Sequence, residues 1–202
     1  MPLNFNKGEK MGKSYIKLDK KDRIIISLTH DNQDISQEEI AKAVNLSQPS
    51  VAIRIKKLKE KGLLENVLGV NLNKVGLNVA MVRVTTTNTT RILTMFRNCP
   101  FFLNGFVISG KENLCLLLVG DDVSSLESII DNHIRPDKDV QSADFNIIIS
   151  SIKDFVIPIK IPIGSLNNPP CGLNHKCNEC PAYKNDRCFG CPATGKYKGG
   201  FW

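Results

Sequence analysis

Five of the seven cysteines fall in the C-terminal tail, at Cys171, Cys177, Cys180, Cys188 and Cys191. The pairs Cys177/Cys180 and Cys188/Cys191 have the Cys-x-x-Cys spacing of metal knuckles. Two intervening residues let one tight turn aim both thiolates at one centre, and a second knuckle a short loop away completes a tetrahedral or cubane site. The spacing therefore predicts a tail that binds a metal or a cluster. Charged Lys7, Lys10 and Lys13 are followed by no apolar secretory core, so a cytoplasmic location is expected, where thiols stay reduced and serve as ligands rather than disulfides.

Two ligand sets are open. Cys171-x5-Cys177-x2-Cys180-x7-Cys188 resembles the compact loops that hold a 4Fe-4S iron–sulfur cluster in some DNA-repair glycosylases, and prolines follow Cys180 and Cys191 as they often follow cluster cysteines in ferredoxins. Alternatively Cys177, Cys180, Cys188 and Cys191 form a zinc (Zn2+) knuckle without Cys171, with His175 able to replace one thiolate. The fifth cysteine and the prolines favour iron–sulfur. Cys99 and Cys115 sit in apolar company and are expected as small core residues. From Asn167-Asn168-Pro169-Pro170 onward apolar content falls, so the bound metal is expected to act as the tail's core.

The elements that must carry this tail come from an ordinary soluble composition, 42% hydrophobic and 23% charged, with no apolar run near the roughly 20 residues of a membrane helix. A net charge of +7 points to an anionic partner. Within Ser47–Gly62 the bases Arg54, Lys56, Lys57, Lys59 and Lys61 meet one acid, Glu60, while Val51, Ile55, Leu58 and Leu63 recur at near-helical spacing. Leu18–His30 predicts a helix before this one, and Ser36-Gln37-Glu38-Glu39 starts a second with a capping box. Ser47 is a third N-cap, with Pro49 tolerated in the first turn. Three short helices ending in a basic one predict a helix-turn-helix.

The order Leu18-Asp19-Lys20-Lys21-Asp22, Ile40-Ala41, Leu46-Ser47, Val51…Arg54-Ile55…Leu58-Lys59…Gly62-Leu63-Leu64 resembles the Lrp/AsnC family of prokaryotic transcription regulators. The resemblance implies double-stranded DNA as partner, with Gln48, Ser50, Arg54 and Lys57 in the major groove, neighbouring lysines such as Lys56 on phosphates, and Ser47 among the DNA-binding residues. Arg and Gln offer paired hydrogen-bonding groups that distinguish bases, whereas Lys acts mainly as a point charge on phosphate.

Downstream, Val79–Val84, Gly105–Ile108, Leu114–Val119 and Val140–Ile152 read as strands, with helices at Arg91–Phe96 and Val123–Ile134. The order βαββαβ predicts an α+β fold, a ferredoxin-like sandwich. The expected organisation is a flexible basic arm (1–17), a winged helix-turn-helix DNA-binding domain (18–64), a wing or linker (65–76), the sandwich (77–155), an extended proline-containing linker (156–170) and the cysteine module (171–202). The family plan implies homodimers through the sandwich, often assembled to octamers, and small effectors near the strand turn, here Gly110, Lys111, Glu112 and Asn113.

The expected function is a sequence-specific transcription regulator whose cysteine module senses redox, oxygen or iron status. The alternatives are a structural zinc tail on a regulator that senses a small molecule, and an enzyme like the sirohaem decarboxylases, which share the plan. Histidines only at His30, His133 and His175 leave the sandwich cleft sparse in acid–base groups, so no enzyme is expected. In the tail, Lys184, Arg187, Lys196 and Lys198 offer further basic contacts, and Tyr183, Phe189, Tyr197, Phe201 and Trp202 offer aromatic cover for the metal site or a docking face.

Overall fold

The computed structural model describes residues 17–172 and 177–202. The arm up to residue 16 and His175 lie outside the described residues. The chain divides into two compact units, 1–66 and 67–202.

The first unit holds α1 (Lys20–Asp31), α2 (Gln37–Val44) and α3 (Gln48–Glu60). Two of these helices begin with reciprocal capping boxes, Asp19 with Asp22 and Ser36 with Glu39. Each box satisfies backbone amides that have no partner in the first turn. Asn45 at φ 49° closes α2 in the left-handed region, which asparagine tolerates better than most residues, and a two-residue turn leads into α3. Ser47 stands at the N-cap as expected, but its hydroxyl meets Ser50 Oγ at 2.8 Å rather than a backbone amide. Buried Ile25, Ile40, Ala41, Val44, Val51 and Leu58 lock the three helices together.

In the second unit β2 (Asn78–Thr86), α5 (Thr89–Phe96), β3 (Phe102–Val107), β4 (Leu114–Gly120), α6 (Val123–His133) and β5 (Val140–Ile147) follow the expected βαββαβ order. The sheet is antiparallel with strand order β3-β4-β2-β5. Ala80, Val82 and Val84 alternate with Leu114, Leu116 and Leu118 to form one buried face, which packs with Ile92, Phe96, Leu126 and Ile130 from the helices. A Cβ on Gly105 would lie 2.3 Å from Leu93 Cδ2, so glycine there is what lets α5 approach the sheet.

The predicted wing or linker resolves into β1 (Val70–Asn71) and the one-turn α4 (Leu72–Val75). Strand β1 pairs with β6 (Val156–Ile157), so the chain leaving the sandwich returns beside the chain entering it. The tail contributes a single-turn helix, α7 (Pro181–Lys184), and two 3-10 turns at Cys177–Glu179 and Pro192–Thr194. Among the described residues no helix is long and apolar enough to cross a membrane.

Candidate nucleic-acid interface and metal centre

Helix α3 buries Val51 and Leu58, and this orientation turns the opposite face to solvent. Gln48, Lys56, Lys57, Lys59 and Lys61 are exposed there, Ser50 is half-buried, and Ile53 stands 56% exposed in their midst. Among these lysines Lys56 has Glu60 at 3.9 Å. Such a face suits polyanion contact through its lysines and base-edge contact through Gln48.

Arg54 is placed differently from the expectation. Its Nη1 donates to Asp19 Oδ2 at 2.7 Å and Asp22 Oδ1 at 2.6 Å, tying α3 to the start of α1. The Asp22 backbone amide, and then the Arg54 guanidinium, hold the Asp19 carboxyl below its usual range. Arg54, expected in the major groove, is thus paired within the domain in this structure.

The turn expected to meet an effector is also internally engaged. Asn113 Nδ2 donates to Thr86 O at 2.7 Å while its Oδ1 accepts from Thr86 N at 3.0 Å, so the carboxamide extends the sheet ladder. Glu112 pairs with Arg83 at 3.1 Å, and Gly110 and Lys111 remain exposed.

The tail is built onto the sandwich. Asp122 caps α6 through Ser125 N at 2.9 Å, which leaves Asp121 to receive the C-terminus. Tyr197 Oη donates to Asp121 Oδ2, and the amides of Gly200 and Phe201 donate to Asp121 Oδ1 at 3.2 and 3.1 Å. Ser125 Oγ accepts from Phe189 N at 2.9 Å, and Ser128 Oγ donates to Arg187 O at 3.0 Å. Trp202 packs edge-on against Phe101, Tyr197 and Phe201 and touches both apolar clusters of this unit. Of the tail's basic residues, Lys198 pairs with Asp186 at 2.6 Å and lies over the Tyr183 ring. Sandwich side chains thus contribute to the tail's packing, beside the metal core expected from sequence.

All five tail cysteines line one largely apolar cavity of about 70 Å3, walled by Phe101, Ile129, Pro169 and Pro170. Cys99, expected as a core residue, and His133 line it as well. Gly190 at φ +82°, with Lys196 O where a Cβ would sit, lets the chain turn between Cys188 and Cys191. The sulfurs are near enough to repel one another when ionised: Cys191 with Cys171, Cys177 and Cys188, and Cys188 with Cys177 and Cys180. Burial first, then this repulsion, pushes the Cys191 thiol up to about 11 and raises Cys188. Thiolates gathered here need positive charge among them, which a thiophilic metal supplies. A water takes about 10–15 Å3 of such space, so the cavity exceeds a single ion. Among the described residues no three Cys, His, Asp or Glu side chains converge as a one-ion site.

Asp121, Ser125, Ser128 and Cys99 were not singled out from sequence as parts of this site. Buried Ser125 and Ser128 on an otherwise apolar helix face were the available signal, since a buried hydroxyl requires a partner.

Residues 18–65 match the family described as winged helix-turn-helix DNA-binding. The chain is 24% identical over 140 residues to the HTH-type transcriptional regulator LrpA of Pyrococcus horikoshii, covering 67% of this chain and 99% of that protein. Escherichia coli AsnC has a similar structure, with TM-score 0.62 and 16% identity over 70% of this chain and 98% of that one. A transcriptional regulator of Neisseria meningitidis, solved as a complex with L-Met, gives TM-score 0.60 and 21% identity over 70% and 97%. The Pyrococcus and Neisseria proteins are both named as transcriptional regulators.

Proposed function

We propose that this chain, a winged helix-turn-helix joined to a ferredoxin-like sandwich, is a sequence-specific DNA-binding transcription regulator of the Lrp/AsnC type whose cysteine module holds an iron–sulfur cluster and reports redox, oxygen or iron status. The observation that carries the DNA half is the exposed basic face of α3 within the matched domain. Gln48 reads a base edge and Lys57 meets phosphate, while Arg54 orients the helix that presents them. Exposed Phe106, Val107 and Ile108 on the β3 edge support a homodimer through the sandwich.

For the tail, six cysteines lining one cavity of about 70 Å3 are the observation that supports a polynuclear cluster. When bound, such a cluster supplies one-electron chemistry and sensitivity to oxidants and iron supply. The chain's part is to keep thiolates in an apolar, partly covered pocket and to convert their engagement into docking of the tail on α6. Asn113 and Glu112 are satisfied internally, which argues against their polar recognition of an amino acid.

The test is anaerobic purification with absorption spectra and iron, sulfide and zinc analysis, alongside binding to DNA selected from a random pool. Stoichiometric iron and sulfide with broad absorption near roughly 400 nm, and steeply salt-dependent, sequence-selective binding, are expected. One zinc per chain and no colour would make the tail structural. Gln48→Ala should cost about 1–3 kcal/mol on the selected site and relax one position, whereas Lys57→Ala should weaken all sequences and lower the salt slope by about 1.

A further inference from the structure

Cys99 does not belong to the tail. It sits in the turn between α5 and β3, where its amide donates to Phe96 O at 2.8 Å and its carbonyl accepts from Phe102 N at 3.1 Å. Those two bonds fix the turn from within the sandwich. The same turn places Cys99 on the wall of the cysteine cavity, where its sulfur feels Cys191 and Cys171 of the tail. A cysteine held by one module and lining the same cavity as the thiols of another is placed to share whatever they bind.

We infer that Cys99 is a sulfur donor to the metal group held by the tail cysteines, so that the bound group fastens the tail to the α5–β3 turn of the sandwich. This rests on the metal-binding reading of the tail. It makes the site a joint rather than a bead on an appendage: the tail reaches it through Cys171, Cys177, Cys180, Cys188 and Cys191, the sandwich through Cys99. Cys115 is the internal contrast, a half-buried thiol on β4 opposite Arg83 that does not line this cavity.

A filler role and a donor role separate by substitution. Alanine preserves a small apolar residue but removes the sulfur, so a mere filler tolerates Cys99→Ala. The full-length protein, purified anaerobically, is assayed for bound iron, sulfide and zinc, for the rate of metal loss to a chelator, and for the emission of Trp202, the only tryptophan. A supporting partner of a metal ligand already governs about 10–100-fold in affinity. Cys99→Ala and Cys99→Ser should therefore hold less than the full complement, or lose it at least about tenfold faster, with red-shifted Trp202 emission; Cys115→Ser should behave as wild type. Wild-type retention in Cys99→Ala overturns the inference and leaves the metal reading standing. A wild-type protein that binds no metal overturns both. If the Cys99 variants fail to fold by circular dichroism, alkylation of the wild-type chain decides: Cys99 protected while the group is bound and labelled after its removal supports the joint, and labelling with the group still bound overturns it.

Discussion

At the scale of single residues, type suggested one role for Arg54 and environment assigned another. An arginine facing outward from a recognition helix is suited to guanine, but Asp19 and Asp22 lie within 2.7 Å and claim its guanidinium. The Asp19–Asp22 capping box was hidden in the very residues that carried the family resemblance, because a capping motif and an ion-pair acceptor use the same carboxylates. Arg54→Ala should accordingly lower the melting temperature of the helix-turn-helix by a few degrees and weaken selected and random DNA by equal factors. Because one nitrogen, Nη1, contacts both carboxylates, Arg54→Lys should restore part of that stability. A loss confined to the selected site would return Arg54 to the groove. Asp19 is held below its usual 3.8, so its contribution is present above that value and is lost as pH falls through the lower folded value. Acid melts of wild type below about pH 4 should show this loss, and Asp19→Asn should not. Cys99 packs against the sandwich core as its apolar neighbours in sequence predict, and only the fold reveals that it also lines the cavity of the tail cysteines.

At the scale of elements, regular periodicity was legible and interruptions were not. The capping boxes and apolar series located α1 to α3 within a few residues, and alternation located β2 and β4. Strand β3 begins three residues before the expected Gly105 because a register shift between Phe102 and Asn104 breaks the alternation that sequence reading depends on. Strand β5 stops at Ile147, and the apolar residues that suggested a longer strand, Ile149 and Ile152, are exposed. Pairing of β1 with β6, and of the tail with α6, joins segments far apart in sequence and leaves no local period. The α6 surface carries testable consequences. Ser125→Ala leaves the Phe189 amide without its acceptor and should weaken tail docking by about 1 kcal/mol, read as increased Trp202 solvent exposure. Burial, reinforced by Asp121, raises the Tyr197 phenol above its ordinary value. Its contribution to docking is therefore complete below about pH 10 and fades as pH rises toward the higher folded value. Alkaline titration of Trp202 emission should show a loss in wild type that Tyr197→Phe lacks; identical curves would separate Tyr197 from docking.

At the scale of the whole molecule, the tail and the sandwich stabilise each other, and the metal reading must be judged against that background. Trp202 closes against both apolar clusters of the second unit, so Trp202→Ala should cost the sandwich about 2 kcal/mol even with the cysteines intact. Cys177→Ser with Cys180→Ser keeps this anchor and should lose the bound group while the sandwich stays folded. The two lesions thus separate mechanical support from metal binding, which deletion of the tail would confound. Regulation imposes a stricter condition than either. If loss of the metal group changes the affinity for DNA by some factor, thermodynamic linkage requires DNA to change the affinity for the group by the same factor, commonly about 5–150-fold. Operator binding measured with and without the group, and metal affinity measured by chelator competition with and without operator, should give one number in both directions. The double cysteine variant should bind DNA with the affinity of the metal-free wild type and show no further response to chelator. Equal operator affinities in the two wild-type forms would mean that the group biases no state of the DNA-binding unit, and the joint at Cys99 would then be a staple of the sandwich rather than a sensor.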